Sequence, residues 1–255
     1  MAILNSLYQS EGYCVYRNFF EINQLQLLNK ILHCFHKNWL AQNQEAYKNG
    51  AINSAYISQQ SSSPLSTEQR THLFQFIAQQ KLIGLLKTII PEEACFLNTQ
   101  LFFDPFQLNQ KNYWHRDIQY TNIPESDQFK TIQKQQVLHF RVPLKTELGI
   151  ELIPKTHNCW DTALELAVRK GLDNHQVFDH LPNSKTIDLN AGDLLVFSAN
   201  MIHRGLYGQD RFTFDILYCD NNSEILKYAT PDCFPNQIQL DQVDCPEIFT
   251  HNTLS

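Results

Sequence analysis

The stretch "RFTFDILY", residues 211–218, alternates between polar and apolar side chains as far as Ile216. A period of two is typical of a β-strand, whose successive side chains point to opposite faces. The stretch "VLHFRVPL", residues 137–144, shows the same division, with His139 and Arg141 among its polar positions. Each strand therefore has one apolar face and one face rich in charge. The apolar face of residues 211–218 consists of Phe212, Phe214, Ile216 and Tyr218, and the other face consists of Arg211, Thr213, Asp215 and Leu217.

The polar faces have two interpretations. In an antiparallel sheet a polar face normally lies in water. The alternative is that the apolar faces pack on helices while the polar faces line a barrel cavity. Residues 21–40 carry apolar side chains from Ile22 to Phe35 at helical spacing, and a second helix is predicted around Phe74 to Leu86, ending before Pro91. Because these helices need a surface to cover, the cavity interpretation is at least as well supported.

Short strand-like runs follow one another from about Cys95 onward. Many short strands after a helical start predict a mainly β fold with helices, of the α+β class: a double-stranded β-helix, or jelly roll, braced by N-terminal helices. No repeat and no break in composition divides the chain, so we expect one domain over residues 1–255. The runs are "CFLNTQLFFD", "QVLHFRVPL", "IELIP", "KTIDL", "DLLVFSA" and "RFTFDILYC".

Composition and charge exclude several classes of protein. Of the 255 residues, 43% are apolar and 18% are charged, which is an ordinary globular balance. The net charge of −6 and the lack of a dense Lys/Arg run argue against nucleic-acid and anionic membrane partners. We find no secretory signal and no apolar run long enough for a membrane span. The seven cysteines are widely spaced without a C-x-x-C, which favours reduced thiols and a cytoplasmic location.

The stretch "WHRD", residues 114–117, places His115 and Asp117 two positions apart. On an extended strand these two side chains point the same way, which suits two ligands of one metal ion. His203, at the end of the apolar run after Gly192-Asp193, is a candidate third ligand. Two imidazoles and one carboxylate are the donor set of non-haem Fe(II) oxygenases, whereas zinc prefers a closed set, often with cysteine. The alternative is a hydrogen-bonded pair at a strand edge, which the presence of His203 makes the weaker interpretation.

Arg211, eight positions after His203, is the candidate anchor for a dicarboxylate co-substrate. A guanidinium group is a fork-shaped, permanently charged partner for the far carboxylate. Thr213 points the same way along a strand and would add a hydroxyl donor. In the alternative interpretation, Arg211 simply pairs with Asp215 or Asp210.

Five further residues are weighed for this site. Arg141 is a rival anchor or a substrate contact. Gln100 and Asn98, on a strand before "WHRD", are candidates for hydrogen bonds to co-substrate or substrate. His139 either lines the cavity or is an ordinary barrel residue, and the sequence favours neither. Arg204 ranks below Arg211 because it should point away from the side of His203.

Taken together, four segments resemble the phytanoyl-CoA dioxygenase family of Fe(II)/2-oxoglutarate-dependent oxygenases. They are "GYCVYRNFF", "WHRD", "GIELIPKTH" and "GDLLVFSANMIHRGLYGQDR", and they occur in the family's order between Gly12 and Asp220. Lys155 stands where the family usually has Gly, so that turn is expected to differ in shape. The resemblance implies a set of functional residues: His115, Asp117 and His203 as iron ligands, Arg211 as the 2-oxoglutarate anchor, and Thr213 at the second position of an Arg-x-Ser/Thr pattern.

The resemblance also implies the activity. The expected cofactors are Fe(II), 2-oxoglutarate as co-substrate and O2, with ascorbate as an assisting reductant. The expected reaction hydroxylates a small organic molecule, such as a natural product, an amino-acid derivative or a lipid or acyl compound, and releases succinate and CO2. The intact Asp117 disfavours the halogenation carried out by relatives that lack this carboxylate.

Two alternatives remain at the level of the sequence. One is hydroxylation of a protein side chain, and the other is a non-catalytic jelly-roll protein that binds a metal or ligand. Residues 58–69 and 123–136 are candidates for a lid over the cavity. The oligomeric state is not predicted.

Overall fold

A computed structural model describes residues 2–50, 54–57, 64–107 and 109–250. The helices are α1 (Ala2–Glu11), α2 (Ile22–Gln42), α3 (Gln44–Lys48), α4 (Thr67–Ile77), α5 (Gln80–Ile89), α6 (Glu125–Ile132), α7 (Ala163–Lys170), α8 (Ser223–Leu226) and α9 (Gln237–Leu240). The strands are β1 (Tyr13–Tyr16), β2 (Ser54–Tyr56), β3 (Ala94–Phe103), β4 (Val137–Pro143), β5 (Glu147–Leu152), β6 (Lys185–Leu189), β7 (Leu194–Ser198), β8 (His203–Gly205) and β9 (Phe212–Asp220). Short 3-10 helices span Asp117–Tyr120, Pro231–Cys233 and Pro246–Phe249.

The strands form two antiparallel sheets. The larger sheet has the order β1-β7-β4-β9-β3-β2, and the smaller has the order β6-β5-β8. An isolated bridge between His115 and His203 adds the "WHRD" segment to the free edge of the smaller sheet. This arrangement is the predicted jelly roll. Among the described residues no helix is both long and apolar enough to cross a membrane.

Helices cover the outer face of the larger sheet. The apolar stripe of α2, from Leu25 to Phe35, packs in one core with Phe140 of β4 and Phe214 of β9. Burying an apolar side chain of this size stabilises the fold by roughly 1.5–3 kcal/mol. Ile22 was predicted to belong to the stripe, but at the first position of α2 it is 59% exposed.

The second predicted helix is two helices. The chain breaks between α4 and α5 at Gln79, which adopts an extended conformation. The Gln79 Nε2 atom donates to the Phe76 carbonyl at 2.8 Å and so satisfies one acceptor at the end of α4. The break lets α4 and α5 bury separate stripes, through Phe74 and Ile77 in one and Leu82 and Leu86 in the other. The prediction of a single helix was therefore wrong.

The polar face of the larger sheet is buried between the two sheets. The side chains of β4 and β9 predicted to be polar are at most 3% exposed: His139, Arg141, Thr213 and Asp215, together with Arg211 just before β9. The first of the two interpretations, in which this face lies in water, was therefore wrong. The helices cover the apolar face of the larger sheet, and the smaller sheet covers its polar face. The polar side chains therefore line the barrel and do not contact bulk water.

A β-bulge in β5 turns Glu147 into the barrel. Glu147 pairs with Leu189 and Ile150 pairs with Ile187, so two residues of β5 oppose one residue of β6. The extra residue lets Glu147 share the inner side with Ile150, although their spacing is odd. Gly149, inside the bulge, has φ +77°, and a Cβ atom there would lie 1.9 Å from the Ile187 carbonyl oxygen.

The turn at Lys155 has a left-handed conformation, with φ +70°. This region favours glycine, which is the residue expected from the family resemblance. The Lys155 amide donates to the Glu11 carbonyl at 2.8 Å, and the Lys155 Nζ atom lies 3.5 Å from the Glu11 carboxylate. These contacts with α1 hold lysine in a conformation that side chains rarely adopt.

We expect Gly149→Ala to lower the free energy of unfolding by about 3 kcal/mol or more. A left-handed conformation costs a residue with a Cβ roughly 1–3 kcal/mol, and the methyl group would also collide with backbone. Gly84→Ala is the matched control. Gly84 lies in α5 with open space around it, so alanine should stabilise the protein by roughly 0.5–1 kcal/mol. Urea unfolding measures both, and equal midpoints for the two variants would contradict the account of the bulge.

Candidate metal centre and co-substrate cavity

His115 and His203 are joined through their backbones. The His115 amide donates to the His203 carbonyl at 3.0 Å, and the His203 amide donates to the His115 carbonyl at 2.9 Å. The Asp117 amide donates to the Ala199 carbonyl at 3.0 Å. Two segments nearly ninety residues apart in sequence therefore meet in a fixed register, which brings together the three side chains predicted as metal ligands.

The three side chains converge on one point. The Asp117 Oδ1 atom lies 3.6 Å from the Nε2 atom of His115 and 3.6 Å from the Nε2 atom of His203. One ligand atom from each residue lies within 4.8 Å of the other two. A divalent metal ion with bonds of about 2.0–2.2 Å would draw these atoms slightly closer together.

Backbone contacts fix the orientation of both imidazoles. The Nδ1 atom of His115 lies 3.1 Å from the Tyr113 carbonyl, and that of His203 lies 3.0 Å from the Met201 carbonyl. A carbonyl only accepts, so each Nδ1 atom carries the proton and each Nε2 atom keeps its lone pair for a metal. Burial lowers the pKa of both imidazoles, which keeps them neutral as metal binding requires. The residues present thus fit a divalent ion.

A row of charged side chains leads away from Asp117. The His139 Nε2 atom lies 2.8 Å from Asp117 Oδ2, and the His139 Nδ1 atom lies 3.0 Å from Asp215 Oδ2. Arg141 donates to both oxygens of Asp215, at 2.9 and 3.0 Å. Burial alone would lower the pKa of His139, but its hydrogen bonds to the two carboxylates raise it to about 9. Burial alone would raise the pKa of Asp215, but Arg141 and His139 lower it to about 2.

Arg211 lies at one end of a cavity of about 510 Å³ that also contains the three candidate ligands. Its guanidinium packs against Gly205, where a Cβ atom would lie 2.6 Å from Nη1, and over the Phe102 ring at 5.2 Å. The nearest carboxylate is Glu147, at 3.9 Å from Nε, and Nε has no hydrogen-bond partner. Neither alternative partner holds Arg211, because Asp215 binds Arg141 and Asp210 pairs with Lys145.

Thr213 does not offer its hydroxyl to the cavity. Its side chain is fully buried, and Oγ1 donates to Glu147 Oε2. Thr213 is not among the cavity-lining residues, so its position differs from the expected donor beside Arg211. This contact instead fixes the position of Glu147, whose carboxylate lies 3.9 Å from the Arg211 Nε atom. Glu147 and Thr213 are 66 residues apart in sequence, and only the pairing of the sheets shows their contact.

Gln100 and Asn98 both line the cavity, and so does Leu97, which directly precedes Asn98. Phe96 pairs with Tyr218 and Asn98 pairs with Leu217, so Leu97 is an extra residue in β3. Because of this extra residue, Leu97 points into the cavity together with Asn98 and Gln100, although strict alternation would place Leu97 and Asn98 on opposite faces. The Asn98 Oδ1 atom is buried and has no hydrogen-bond partner.

The end of the cavity away from Arg211 is lined mainly by apolar side chains, with Glu224 beside Ile225 as a charged exception. The register of β3, β4 and β9 places Leu97, Val137 and Leu217 at this end, and Ile225 joins the same cluster. Tyr113 and Tyr120 stand beside His115 and share a hydrogen bond between their hydroxyls at 2.7 Å. No lysine is among the described residues that line the cavity.

Two segments proposed as lids have different outcomes. Residues 58–63 lie outside the described residues, and Ser66 caps the start of α4 by accepting from the Gln69 amide. Residues 123–136 contain α6, and of this segment Ile123 and Gln135 line the cavity.

Arg116 has a structural role at the site that no pattern in the sequence was taken to indicate. Between the two predicted ligands, it points away from them and is fully buried. It donates to Asp161 at 2.8 Å, to the Cys159 carbonyl at 2.8 Å and to the carbonyls of Thr156 and Asn200. The sequence does contain a signal for this: on an extended strand, Arg116 points to the side opposite His115 and Asp117.

Arg116 ties the "WHRD" segment to the turn just before His203. Asn200, one of its acceptors, lies in that turn. Asp161 also accepts from Arg169 at 2.8 Å, so one buried carboxylate serves two guanidinium groups. Arg204 also points away from the ligand side, where it binds Glu151 at 2.8 Å and stacks over Trp114 at 4.2 Å.

Comparison with known proteins gives a family and a fold. A family model described as phytanoyl-CoA dioxygenase (PhyH) matches residues 8–207. EctD from S. alaskensis, solved with 2-oxoglutarate and 5-hydroxyectoine, is 16% identical with a TM-score of 0.59, over 86% of this chain and 75% of that chain. HygX from Streptomyces hygroscopicus, solved with nickel and 2-oxoglutarate, is 12% identical with a TM-score of 0.56, over 86% of each chain.

A third solved structure is SnoN, a non-heme alpha-ketoglutarate-dependent epimerase from nogalamycin biosynthesis. It is 13% identical with a TM-score of 0.51, over 86% of this chain and 83% of that chain. At such identities the likeness shows the fold alone. No curated protein sequence matches the chain.

Arg116→Gln should destabilise the protein by about 3 kcal/mol, because breaking a buried ion pair leaves unpaired acceptors. For a chain of this size the loss corresponds to a fall in Tm of roughly 6–12 °C. The control is Lys87→Gln, which breaks an exposed pair with Glu247 and should change stability by less than about 1 kcal/mol. Thermal unfolding of both variants measures the difference. A Tm for Arg116→Gln as high as that of the control would exclude a structural role for Arg116.

Proposed function

Since the chain belongs to the phytanoyl-CoA dioxygenase family, and is thus an oxygenase that uses Fe(II), 2-oxoglutarate and O2, we propose that it hydroxylates a small organic molecule at an iron held by His115, Asp117 and His203. One observation carries the proposal. The three donor atoms converge within 4.8 Å in the wall of a cavity that has Arg211 at one end. When bound, iron and 2-oxoglutarate supply the activation of O2, with succinate and CO2 as products.

The proposed ligands are pre-oriented for iron. Each imidazole is held by a backbone carbonyl at Nδ1, and Asp117 presents Oδ1 to both Nε2 atoms. Such outer contacts fix the direction of the lone pairs before a metal arrives. Two imidazoles and one carboxylate leave positions open for co-substrate and oxygen.

We assign Arg211 as the anchor of the far carboxylate of 2-oxoglutarate. Its ion pair with Glu147 is long, and the guanidinium has hydrogen-bonding capacity to spare, as the partnerless Nε atom shows. Arg141 is already held at two nitrogens by Asp215, and only its Nη1 atom lacks a partner. Arg141 and Gln100 are therefore proposed as auxiliary contacts, and Thr213 acts through Glu147.

The substrate is proposed to occupy the apolar end of the cavity. A volume of about 510 Å³ suits a small molecule together with the co-substrate. Leu97, Val137 and Leu217 favour an uncharged segment there, and the partnerless Asn98 Oδ1 atom favours a hydrogen-bond donor on the substrate. A CoA thioester would need cations for its phosphates. No described lining residue is a lysine, and the two lining arginines are taken by Asp215 and by the proposed co-substrate.

Two competing interpretations make different demands on the site. Hydroxylation of a protein side chain requires a groove beside the iron rather than a chamber bordered by Tyr113 and Tyr120. A non-catalytic binding protein has no need of Arg211 in addition to a complete set of metal ligands. We therefore rank both below a small-molecule oxygenase.

We further propose that residues 1–255 act as one oxygenase domain. The strand β9 lies beyond the region that the family model matches, yet it pairs with both β3 and β4. A reducing compartment such as the cytoplasm is proposed from the seven cysteines, all within the described ranges, among which the structure contains no disulfide.

The purified protein with Fe(II), ascorbate, O2 and 2-oxoglutarate should release succinate slowly without added substrate. Asp117→Ala should reduce this rate by more than the roughly 10–100-fold that loss of an outer contact costs, because it removes a proposed ligand. Asp188→Ala is the control, since Asp188 is exposed on β6 and does not line the cavity. Succinate is quantified by mass spectrometry. Equal rates for the Asp117→Ala variant and wild type would refute the metal assignment.

Gly205→Ala should raise the Kd for 2-oxoglutarate by roughly 10–100-fold, because a methyl group at this position displaces the Arg211 guanidinium. Metal affinity should be unchanged, since Gly205 contributes no ligand. Isothermal titration with Ni(II), followed by 2-oxoglutarate, separates the two effects. An unchanged affinity for 2-oxoglutarate would show that Arg211 is not its anchor.

A further inference from the structure

The two oxygens of Asp117 have different surroundings. Oδ1 lies 3.6 Å from the Nε2 atoms of His115 and His203. Oδ2 lies 2.8 Å from the Nε2 atom of His139, on the neighbouring strand β4. The carboxylate therefore presents one oxygen to the proposed metal and has the other occupied by a protein donor.

His139 is itself held in place. Its Nδ1 atom binds the fully buried Asp215, which Arg141 grips through two nitrogens. Its ring stacks on Phe197 with centroids 4.5 Å apart and an interplanar angle of 11°. The His139 side chain is 3% exposed, so bulk water competes little for either of its hydrogen bonds. The ring thus has one orientation, and that orientation is set from the side opposite Asp117.

We propose that His139 is a positioning residue that holds Asp117 as a one-oxygen metal ligand. This inference rests on the proposed function, because it takes Asp117 to be an iron ligand. A carboxylate can bind a metal through one or both oxygens. With Oδ2 occupied by His139, the triad takes three coordination positions rather than four. The positions left open are those that a chelating co-substrate and oxygen require.

The competing interpretation treats His139 as an ordinary core residue of the barrel. Its stacking on Phe197 alone would then account for its burial. In that case the contact with Asp117 would have no bearing on metal affinity, and any polar or apolar replacement of similar volume would serve. The two interpretations differ in whether the hydrogen bond from the His139 Nε2 atom to Asp117 affects metal binding.

The variants His139→Gln and His139→Asn separate the two nitrogens. A glutamine amide reaches about as far as Nε2 and can still donate to Asp117, whereas an asparagine amide reaches about as far as Nδ1 and can contact only Asp215. We expect His139→Asn to weaken Co(II) binding by roughly 10–100-fold. We expect His139→Gln to keep the wild-type affinity.

Two readouts are used on the full chain. Isothermal titration with Co(II) gives the affinity, and the d–d absorption of the Co(II) complex reports a change in coordination number when Asp117 becomes free to bind through both oxygens. The spectrum should change in His139→Asn and not in His139→Gln. Thermal unfolding of the metal-free proteins verifies that each variant is folded.

The outcomes are distinct. If wild type binds no Co(II), the proposed metal site itself fails. If wild type binds and both variants bind equally well, or both lose affinity equally, the contact with Asp117 is not the cause and the inference is overturned. Should His139→Asn fail to fold, Asp215→Asn replaces it. That variant loosens His139 from the far side and should weaken Co(II) binding, and an unchanged affinity would likewise overturn the inference.

Discussion

Charges buried on the inner face of the larger sheet must be matched, and the rest of the site depends on this constraint. An uncompensated ion in a protein interior costs several kcal/mol. Arg141 meets Asp215, Asp215 meets His139, and His139 meets Asp117 at the edge of the cavity. Because each group in this row is the partner of the next, none can move alone. Asp117, the proposed metal ligand at the end of this row, is therefore held as rigidly as the sheet.

The outer helices and the strand bulges together determine which side chains line the inner face of the sheet. The apolar faces of β4 and β9 are covered by α2, α4 and α5, which leaves their polar faces to look into the barrel. Bulges in β3 and β5 then turn inward side chains that strict alternation would direct elsewhere. Glu147 reaches Thr213 and Arg211 only through such a bulge. The proposed co-substrate end of the cavity thus depends on two departures from regular strand geometry.

Those departures also mark the limit of what the sequence predicts. The short strands after a helical start, the alternation in "RFTFDILY" and the spacing of His115 and Asp117 are local patterns. Together with the family resemblance, they predicted the jelly roll and the residues that meet at the candidate site. The contact of Thr213 with Glu147 spans 66 residues, and that of Arg116 with Asn200 spans 84. The sequence favoured neither role for His139, because its two carboxylates lie 22 and 76 positions away. Long-range partners of this kind are set by sheet register, which no local pattern contains.

The same matching of charge explains how one cavity can distinguish a co-substrate from a substrate. At one end, Arg211 is held only by a long contact to Glu147, and at the centre a divalent ion would carry more charge than Asp117 neutralises. These are the two positions in the cavity where added negative charge is favourable, and a molecule with a carboxylate at each end can meet both. The far end offers Leu97, Val137 and Leu217 and no such charge. We infer that a dicarboxylate is drawn to the first end and that an uncharged part of the substrate is left to occupy the second, so that the two molecules do not compete.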